Sequence, residues 1–526
     1  MLREGFVNRP SAAEPDPKAT SAAPCLCELL HLAEGGQNSV FCRQDLVHFD
    51  LLDPRRVIIA AIGACAQMLE HDGLGEESKG DLTMLFKKAL LAAFALGSMV
   101  ALPAHAELDV ASLKQSIETS FESEYPKLDA LYKDIHAHPE IAFQEEKTAA
   151  KLAAEMRAIG FEVTEEVGKT GLVALYKNGD GPTIMVRTEL DALPMEEKTG
   201  LPYASRDKTI WQGRETFVTH SCGHDIHMAS WVGTAKTLVS LKDRWKGTLM
   251  FIAQPAEEVG AGARAMLADG LFTRFPKPDA GFALHDGAFP YGYVNYRVGV
   301  GSSNADGLYI KFKGRGGHGA VPQATIDPVM MASRFVVDVQ SVISREKDPT
   351  EFGVVSIGSL HAGTAGNIIP DEAILLGTIR TFKPDVRAKM HDGIERTAKA
   401  VAVMANAPAP DIKISEGIKA VINDHAVVAT AEKVLKAAFG DKFTATPPRT
   451  ASEDFSEYIN AGVPSMFFNI GVYDPEHVAA ARSGGPPLPD NHSPLFAPVP
   501  KPTIQTGVTA MTLAVLSAFD QKAKGQ

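Results

Sequence analysis

The chain is poor in cysteine, and the five cysteines it has are unevenly placed. Four of them lie before residue 66, and Cys222 is the only cysteine in the rest of the 526 residues. An intrachain disulfide is therefore excluded beyond that point. Clustered Lys and Arg are also lacking, and the net charge is −12. This balance argues against a surface that binds nucleic acid, which requires concentrated positive charge.

Long hydrophobic runs are missing as well. The apolar stretch at 89–102 has 14 residues, whereas a membrane-spanning helix needs about 20. Apolar residues make up 45% of the chain and charged residues 22%, the balance of a globular protein. Disorder and a bundle of membrane helices are both excluded. No internal repeat or low-complexity tract is present.

What the N-terminal part does contain has the order of a secretory signal. Met84 is followed by Lys87 and Lys88, then by the apolar stretch and by an A-x-A pattern at 104–106. This order predicts a signal peptide at 84–106 and a periplasmic or secreted protein without stable membrane insertion after cleavage. An uncleaved anchor or a buried helix is the alternative.

A signal at 84–106 leaves residues 1–83 without a role. They are interpreted as an artefact of gene-start assignment, with a fused linker as the alternative. Four cysteines, Cys25, Cys27, Cys42 and Cys65, lie upstream of the predicted cleavage point. The mature chain would then keep a single thiol, Cys222, and bound metal would protect it.

From residue 107 onward, helical and strand patterns alternate, which predicts an α/β fold with a mostly parallel sheet. The predicted helices are 113–136, 146–159, 225–241, 425–439 and 502–520. The predicted strands are 171–176, 182–188, 247–253, 280–285 and 464–470. In such sheets, ligands bind beyond the carboxyl ends of the strands.

A second module interrupts this pattern at 302–411. Its predicted elements are a strand at 308–313, a helix at 328–344, strands at 352–360 and 372–381, a helix at 384–405 and a closing strand near Ile412. The β-α-β-β-α-β order predicts a small antiparallel sheet covered by two helices. The first domain is then predicted to comprise 107–301 and 412–526.

The run THSCGHDIHMAS and the later pair Glu257 and Glu258 predict a metal site. Thiolate, imidazole and carboxylate are ligands of zinc-like ions, and a neighbouring carboxylate can serve as the base for an activated water. Cys222 and His224 are two residues apart, so both can face one ion only if that turn is irregular. The pattern therefore indicates hydrolysis.

Other interpretations of these residues remain open. Cys222 with His224 or His227 is also a thiol-nucleophile pattern, and the glutamate pair could lie in a solvated loop. His227 is interpreted as a structural histidine. Asp225 is an equally good candidate for the N-cap of a helix.

Eight motifs in order resemble the N-acyl-amino-acid amidohydrolases, a family that includes hippurate hydrolases and indole-acetyl-amino-acid hydrolases and is related to aminoacylase and glutamate carboxypeptidases. The resemblance covers the chain nearly from Lys127 to its end. It implies a dinuclear metallohydrolase catalytic domain with an inserted α+β lid and dimerisation domain. The motifs are IHAHPEIAFQEEKTA, RTELDALP, CGHDIH, QPAEEVGAGA, GRGGHGAVP, GTAGNIIPD with GTIRTF, SEDFSEY and DNHSPLF.

The resemblance also implies roles for individual residues. Glu257 is the implied general base and Asp191 supports the site, while His318, Asn367 and Arg380 are implied substrate contacts. His318 would reach across a homodimer, where we expect it to donate to the oxyanion. The family often has Asp where this chain has Glu189, whose role stays open. The implied metal ligands are Cys222, His224, Glu258, His285 and His492.

The favoured hypothesis is a metal-dependent amidohydrolase that splits N-acyl or N-aroyl amino acids into a carboxylic acid and a free amino acid. Two divalent ions are expected, and zinc, manganese and cobalt all accept such mixed ligands. A related dipeptidase or carboxypeptidase is the second hypothesis. A non-catalytic metal-binding or solute-binding protein is the third, and it would have no need of Glu257.

Overall fold

A computed structural model of the protein describes residues 108–523. The proposed extension at 1–83, the predicted signal peptide at 84–106 and the four upstream cysteines lie outside the described residues. None of the helices within 108–523 combines the length and the hydropathy that crossing a lipid bilayer requires.

Eleven helices and eighteen strands form the described part of the chain. The helices are α1 (Val110–Ala137), α2 (Glu146–Ile159), α3 (His224–Ser240), α4 (Gly262–Ala268), α5 (Leu271–Arg274), α6 (Pro328–Asp338), α7 (Pro384–Met404), α8 (His425–Phe439), α9 (Ser456–Asn460), α10 (Pro475–Arg482) and α11 (Pro500–Ala523). Short helical turns of other types span Lys242–Arg244, Pro322–Ala324, Val342–Glu346 and Gly440–Lys442.

The strands range from two to eleven residues in length. They are β1 (Glu162–Val167), β2 (Gly171–Asn178), β3 (Thr183–Glu189), β4 (Lys208–Trp211), β5 (Arg214–Phe217), β6 (Gly247–Gln254), β7 (Ala280–Pro290), β8 (Val294–Tyr296), β9 (Gly299–Val300), β10 (Asn304–Lys313), β11 (Gly317–His318), β12 (Gly353–Ala362), β13 (Ile368–Ile369), β14 (Glu372–Thr381), β15 (Asp411–Ile418), β16 (Ile422–Asn423), β17 (Phe443–Ala445) and β18 (Ser465–Tyr473).

The larger sheet has eight strands in the order β1-β2-β6-β3-β7-β18-β8-β17. Its central strands β6, β3, β7 and β18 run parallel to one another, which confirms the predicted α/β fold. Strand β1 was not predicted, because half of its segment EVTEEV is charged and only its last residue is buried. The short hairpin β4–β5 was missed as well.

Helix α3 lies between this sheet and the helices α1 and α11, and almost every residue along it is buried. The Trp231 indole donates to the Val186 carbonyl at 3.1 Å, which fixes α3 against β3. Trp245 stacks on Phe519 with ring centroids 4.8 Å apart and fastens the end of α11. This packing sets the start of α3 beside the carboxyl end of β3.

The smaller sheet has four antiparallel strands in the order β12-β14-β10-β15 and its own apolar core. Residues along β10 alternate between buried and half-buried, so one face packs on α6 and α7. Because β15 pairs with β10, the chain stays in this sheet until Ile418, beyond the predicted boundary at 411.

Helix α6 ends at Asp338, earlier than the predicted 344. The Ser341 hydroxyl donates to the Asp338 carbonyl at 2.6 Å and so satisfies a backbone acceptor at the helix end. Such local side-chain bonds compete with continued α-helix. A π-helical turn, Val342–Glu346, follows.

Asp306 joins three elements of the smaller sheet. Its carboxylate accepts bidentate hydrogen bonds from Arg387 in α7, a hydrogen bond from His391 at 2.8 Å and one from the Gly417 N–H at 3.0 Å. Burial alone would raise the pKa of Asp306, but these donors lower it overall. The ionised carboxylate therefore links β10, α7 and β15.

We predict that Asp306→Asn destabilises this sheet by about 3 kcal/mol, because removing one partner of a buried ion pair leaves the other uncompensated. The free energy of unfolding from urea titration measures the effect. Lys399→Gln, which removes an exposed pair with Glu395 in the same helix α7, is the matched control and should leave stability unchanged. A similar loss in both variants would contradict the role of Asp306.

Candidate metal centre

A cavity of about 300 Å³ lies where the ends of β6 and β7, the turn before α3 and the loop after α10 meet. The smaller sheet contributes Arg380 of β14 to the same cavity. Besides Arg380, five of the predicted site residues line it: Cys222, Glu257, Glu258, His285 and His492. His224 is fully buried beside them.

The turn before α3 is irregular, as the spacing of Cys222 and His224 requires. Gly223 has φ +82°, and a Cβ at this position would lie 1.9 Å from Asp286 Oδ2. Only glycine fits such a left-handed and crowded position. The Asn491 amide donates to the Cys222 carbonyl at 3.1 Å and to Asp286 Oδ1 at 2.8 Å, which holds the turn.

Two imidazoles direct a free ring nitrogen to the centre. His224 Nδ1 donates to the Asp191 carbonyl at 2.7 Å, and its buried Nε2 has no hydrogen-bond partner in the described residues. His285 Nδ1 donates to the Asp286 carbonyl at 2.8 Å, and its Nε2 lies 3.4 Å from Cys222 Sγ. Backbone acceptors behind a histidine fix the tautomer of a metal ligand in this way.

Glu258 and His492 complete the donor set. His492 Nε2 lies 3.2 Å from Glu258 Oε2, while the buried Glu258 Oε1 has no hydrogen-bond partner among the described residues. The Glu258 N–H donates to Asp191 Oδ2 at 2.9 Å. Asp191 therefore forms hydrogen bonds with two of the candidate metal ligands, His224 and Glu258. His492 itself has φ +66°, and its N–H donates to the Ser221 carbonyl at 2.7 Å.

These donors fall into two groups that share one atom. Cys222 Sγ lies within 4.8 Å of the nearest donor atoms of His224 and His285 in one group, and of Glu258 and His492 in the other. Converging S, N and O ligand atoms, of which His224 Nε2 and Glu258 Oε1 are buried without a hydrogen-bond partner among the described residues, fit divalent ions. The arrangement provides two adjacent positions for ions, with the thiolate between them.

The charges of the centre favour a bound cation. Burial alone would lower the pKa of His224, but Asp191 and the carboxylates of Glu189 and Glu258 raise it to about 10. A positive charge is therefore stabilised at this position, and a metal ion competes for it with a proton. Burial lowers the pKa of His285 well below its usual value, so this ring is neutral.

The thiol environment argues against the nucleophile interpretation of Cys222. Burial and the negative charges of Glu258 and Glu257 raise the pKa of the Cys222 thiol well above its usual value. Reactive cysteines need the opposite shift. Its imidazole contact is His285 rather than His227, whose nitrogens are both engaged elsewhere.

Glu257 lines the cavity and is not part of the two groups that share Cys222, although its carboxylate lies within 4.8 Å of ligand atoms of His224 and Glu258. Its Oε2 lies 3.9 Å from His224 Nε2, and the residue is 8% exposed. Burial, followed by the negative charges of Glu453 and Glu258, raises the pKa of Glu257 well above its usual value. A carboxyl group with a raised pKa holds a proton more readily than an ordinary carboxylate does.

A buried charge network behind the centre was missed by sequence reasoning. Arg187 donates to Glu189, to Glu453 at 2.8 Å and to Asp454 at 3.2 Å. Glu189 also accepts from His227 Nδ1 at 3.1 Å, so both of its oxygens are engaged with cationic or donor groups. The acidic doublet in the motif SEDFSEY was the one available signal.

Asp225 is not the N-cap of α3, since Gly223 occupies that position. Asp225 instead accepts from His136 Nδ1 at 2.6 Å, while His136 Nε2 lies 3.2 Å from Glu197. Burial alone would lower the pKa of His136, but Asp225 and Glu197 raise it to about 10. The imidazolium thus links α1 to the first turn of α3.

The three predicted lid contacts are not brought together in the single chain. Arg380 reaches the cavity, whereas His318 and Asn367 are exposed. His318 lies in β11, and Asn367 lies in the loop directly before β13, the strand that pairs with β11. The Gly319 N–H donates to the Asn367 carbonyl at 2.8 Å, which keeps these two residues close to each other. His318 Nδ1 accepts from the Ala320 N–H at 3.0 Å.

Comparisons with known proteins identify the family. Residues 185–482 match the model of peptidase family M20/M25/M40. The chain is 35% identical over 352 residues to an N-acetylcysteine deacetylase of Bacillus subtilis, covering 66% of this chain and 89% of that protein. It is 37% identical over 335 residues to the hippurate hydrolase of Campylobacter jejuni, covering 62% and 84%.

A solved structure shares the fold and the family. A dinuclear metal-binding peptidase of the M20 family from Bacillus subtilis superposes with a TM-score of 0.62 and 28% identity, over 76% of this chain and 99% of that one. Membership of a hydrolase family sets aside the hypothesis of a non-catalytic binding protein. The chain belongs to peptidase family M20/M25/M40 and is a metal-dependent amidohydrolase.

Proposed function

We propose that the enzyme hydrolyses the amide bond of N-acyl or N-aroyl amino acids and releases a carboxylic acid and a free amino acid. The observation that carries this proposal is Glu257, a buried carboxylate that faces the same cavity as the two donor groups around Cys222. The deacetylase and hippurate hydrolase names of the relatives support the substrate class.

Two divalent ions held by Cys222, His224, Glu258, His285 and His492 would polarise the scissile carbonyl and lower the pKa of the attacking water. Glu257 accepts the proton from that water. It then delivers the same proton to the leaving nitrogen, so that one carboxyl group acts as base and acid in turn. The raised pKa of Glu257 helps it to hold the proton between these steps.

Arg380 is proposed to bind the carboxylate of the substrate. Its guanidinium lines the cavity and has no carboxylate within 4.0 Å among the described residues. A planar guanidinium binds a carboxylate through two parallel hydrogen bonds. The side chains of Phe467 and Ile418 provide apolar walls for the acyl group.

Zinc, manganese or cobalt would suit the donor set, and the shared Cys222 thiolate favours zinc, since manganese prefers oxygen ligands. A related dipeptidase or carboxypeptidase activity is the second proposal, because the M20 relative of known structure is named a peptidase. A panel of acyl amino acids and dipeptides separates the two, with preferential cleavage of dipeptides overturning the first.

We predict that Glu257→Gln keeps its bound metal and loses activity by a factor of about 10² to 10⁴, because the amide cannot take up a proton from water. Metal content by mass spectrometry and turnover of N-acyl amino acids measure the two effects. Glu258→Gln should instead lose metal as well as activity. Glu196→Gln, which removes an exposed carboxylate outside the cavity, is the neutral control. Activity retained by Glu257→Gln would overturn the mechanism.

We further propose that the protein is exported through the signal at 84–106. When the gene is expressed from Met84 in a Gram-negative host, the mature protein should begin at Glu107 and occur in the periplasm. Leu91→Arg should abolish export, because a charge interrupts the apolar run, whereas Leu91→Ile should not. An intact N-terminus in the cytoplasm would contradict the proposal.

A homodimer with His318 acting in the partner's site is proposed from the exposure of this residue and of the apolar side chains Leu360 and Leu376 on the smaller sheet. Light scattering should give twice the mass of one chain. His318→Ala and Glu257→Gln should each be inactive alone. Their co-expression should restore roughly a quarter of the activity, because mixed dimers contain one complete site, and no recovery would sink the shared-site arrangement.

A further inference from the structure

A second arginine lines the cavity of the metal centre. Arg449 lies in the loop between β17 and α9, and its guanidinium donates to Asn469 Oδ1. Asn469 lies directly beside His285 in the parallel register of β18 and β7. The Arg449 N–H donates to the Gly301 carbonyl at 2.8 Å, which fixes the backbone of the loop.

The position of this guanidinium relative to the metal ligands follows from its neighbours. Gly287 is two residues beyond His285 on β7. The Arg449 Nη2 atom lies 3.8 Å from the position that a Cβ atom of Gly287 would occupy. Arg449 therefore flanks the centre from the larger sheet, whereas Arg380 faces it from the smaller one.

Both guanidinium groups lack a carboxylate partner within residues 108–523. The two more deeply buried arginines, Arg187 and Arg387, are by contrast each ion-paired with at least two carboxylates. Half-burial without a counter-charge costs free energy, and burial lowers the pKa of Arg380. Glu257, Glu258 and Glu453 line the same cavity, but its two guanidinium groups have no ion-pair partner among the described residues and therefore favour a bound anion.

We propose that Arg449 is a specificity-determining residue that binds a second carboxylate, so that the preferred substrates are dianionic N-acyl amino acids. The inference rests on the proposed function and names the substrate class of the same site. Arg380 pairs with the α-carboxylate, and Arg449 pairs with the second one. That carboxylate belongs either to an acidic amino-acid side chain or to a dicarboxylic acyl group.

Two matched substrate pairs distinguish these sources. N-benzoylglutamate against N-benzoylglutamine tests the amino-acid side chain, and N-succinylglycine against N-butanoylglycine tests the acyl group. In one pair, the kcat/KM of the purified metal-loaded enzyme should be at least about tenfold higher for the dianionic substrate. The difference should lie mainly in KM, because a hydrogen bond between charged groups contributes roughly this much to binding. Arg449→Met should remove that preference, and Arg449→Lys should retain part of it.

Arg297→Met is the matched control. Arg297 donates to the Thr446 carbonyl at 3.3 Å in the same loop but does not line the cavity, so its loss should leave the preference unchanged. Equal kcat/KM within both wild-type pairs would overturn the inference. So would an equal loss for both members of a pair in Arg449→Met, since Arg449 would then only hold Asn469.

The outcomes separate this inference from the proposed function. Cleavage of the neutral members alone leaves the proposed function standing and overturns the role of Arg449. No cleavage of any of the four substrates, nor of simpler acyl amino acids, overturns both. Should Arg449→Met fail to fold, the wild-type ratios together with Arg449→Lys decide the proposal.

Discussion

The geometry of the centre depends on the buried guanidinium of Arg187. This cation is fully enclosed, and Glu189, Glu453 and Asp454 surround it. An unpaired charge at this depth would be prohibitive, so the end of β3 and the loop before α9 must remain together for the protein to fold. The second oxygen of Glu189 accepts from His227. A chain of hydrogen bonds therefore connects the Arg187 guanidinium through Glu189 to His227.

The same network continues to the metal-binding strand. His227 Nε2 accepts from the Asp286 N–H at 2.9 Å, which requires the proton on Nδ1 and fixes the residue next to His285. Three carboxylates around one guanidinium leave an excess of negative charge, and burial together with that crowding raises the pKa of Asp454 to about 7. Divalent ions in the adjacent donor groups would offset this excess, which couples metal binding to the stability of the buried network.

Local patterns predicted what depends on short stretches of chain. Neighbouring residues determine both the end of α2 at a left-handed glycine and the irregular turn at Gly223. The parallel centre of the sheet follows from the alternation of helical and strand patterns along the chain. The partners of Arg187 are different, because Glu453 is 266 residues away and nothing local marks it as the counter-charge. The role of Glu189 stayed open for a different reason, because the family often has Asp at this position, although its partner Arg187 is only two residues away. Asp225 matched an N-cap pattern, but the tertiary contact with His136 determined its role.

The placement of the lid residues follows from where the smaller sheet is attached. Asn304 donates to the Thr381 carbonyl at 3.0 Å and accepts from the Ala420 N–H at 2.9 Å. The start of β10 is therefore bound to the end of β14 and to the segment that follows β15. Arg380 is adjacent to Thr381 and pairs with Ala305, and it therefore reaches the cavity within one chain. His318 lies past the opposite end of β10, in a segment that pairs only with β13. To contact substrate, a residue at that end would need either a large movement of the sheet or a second subunit, and the second of these is the arrangement of the proposed homodimer.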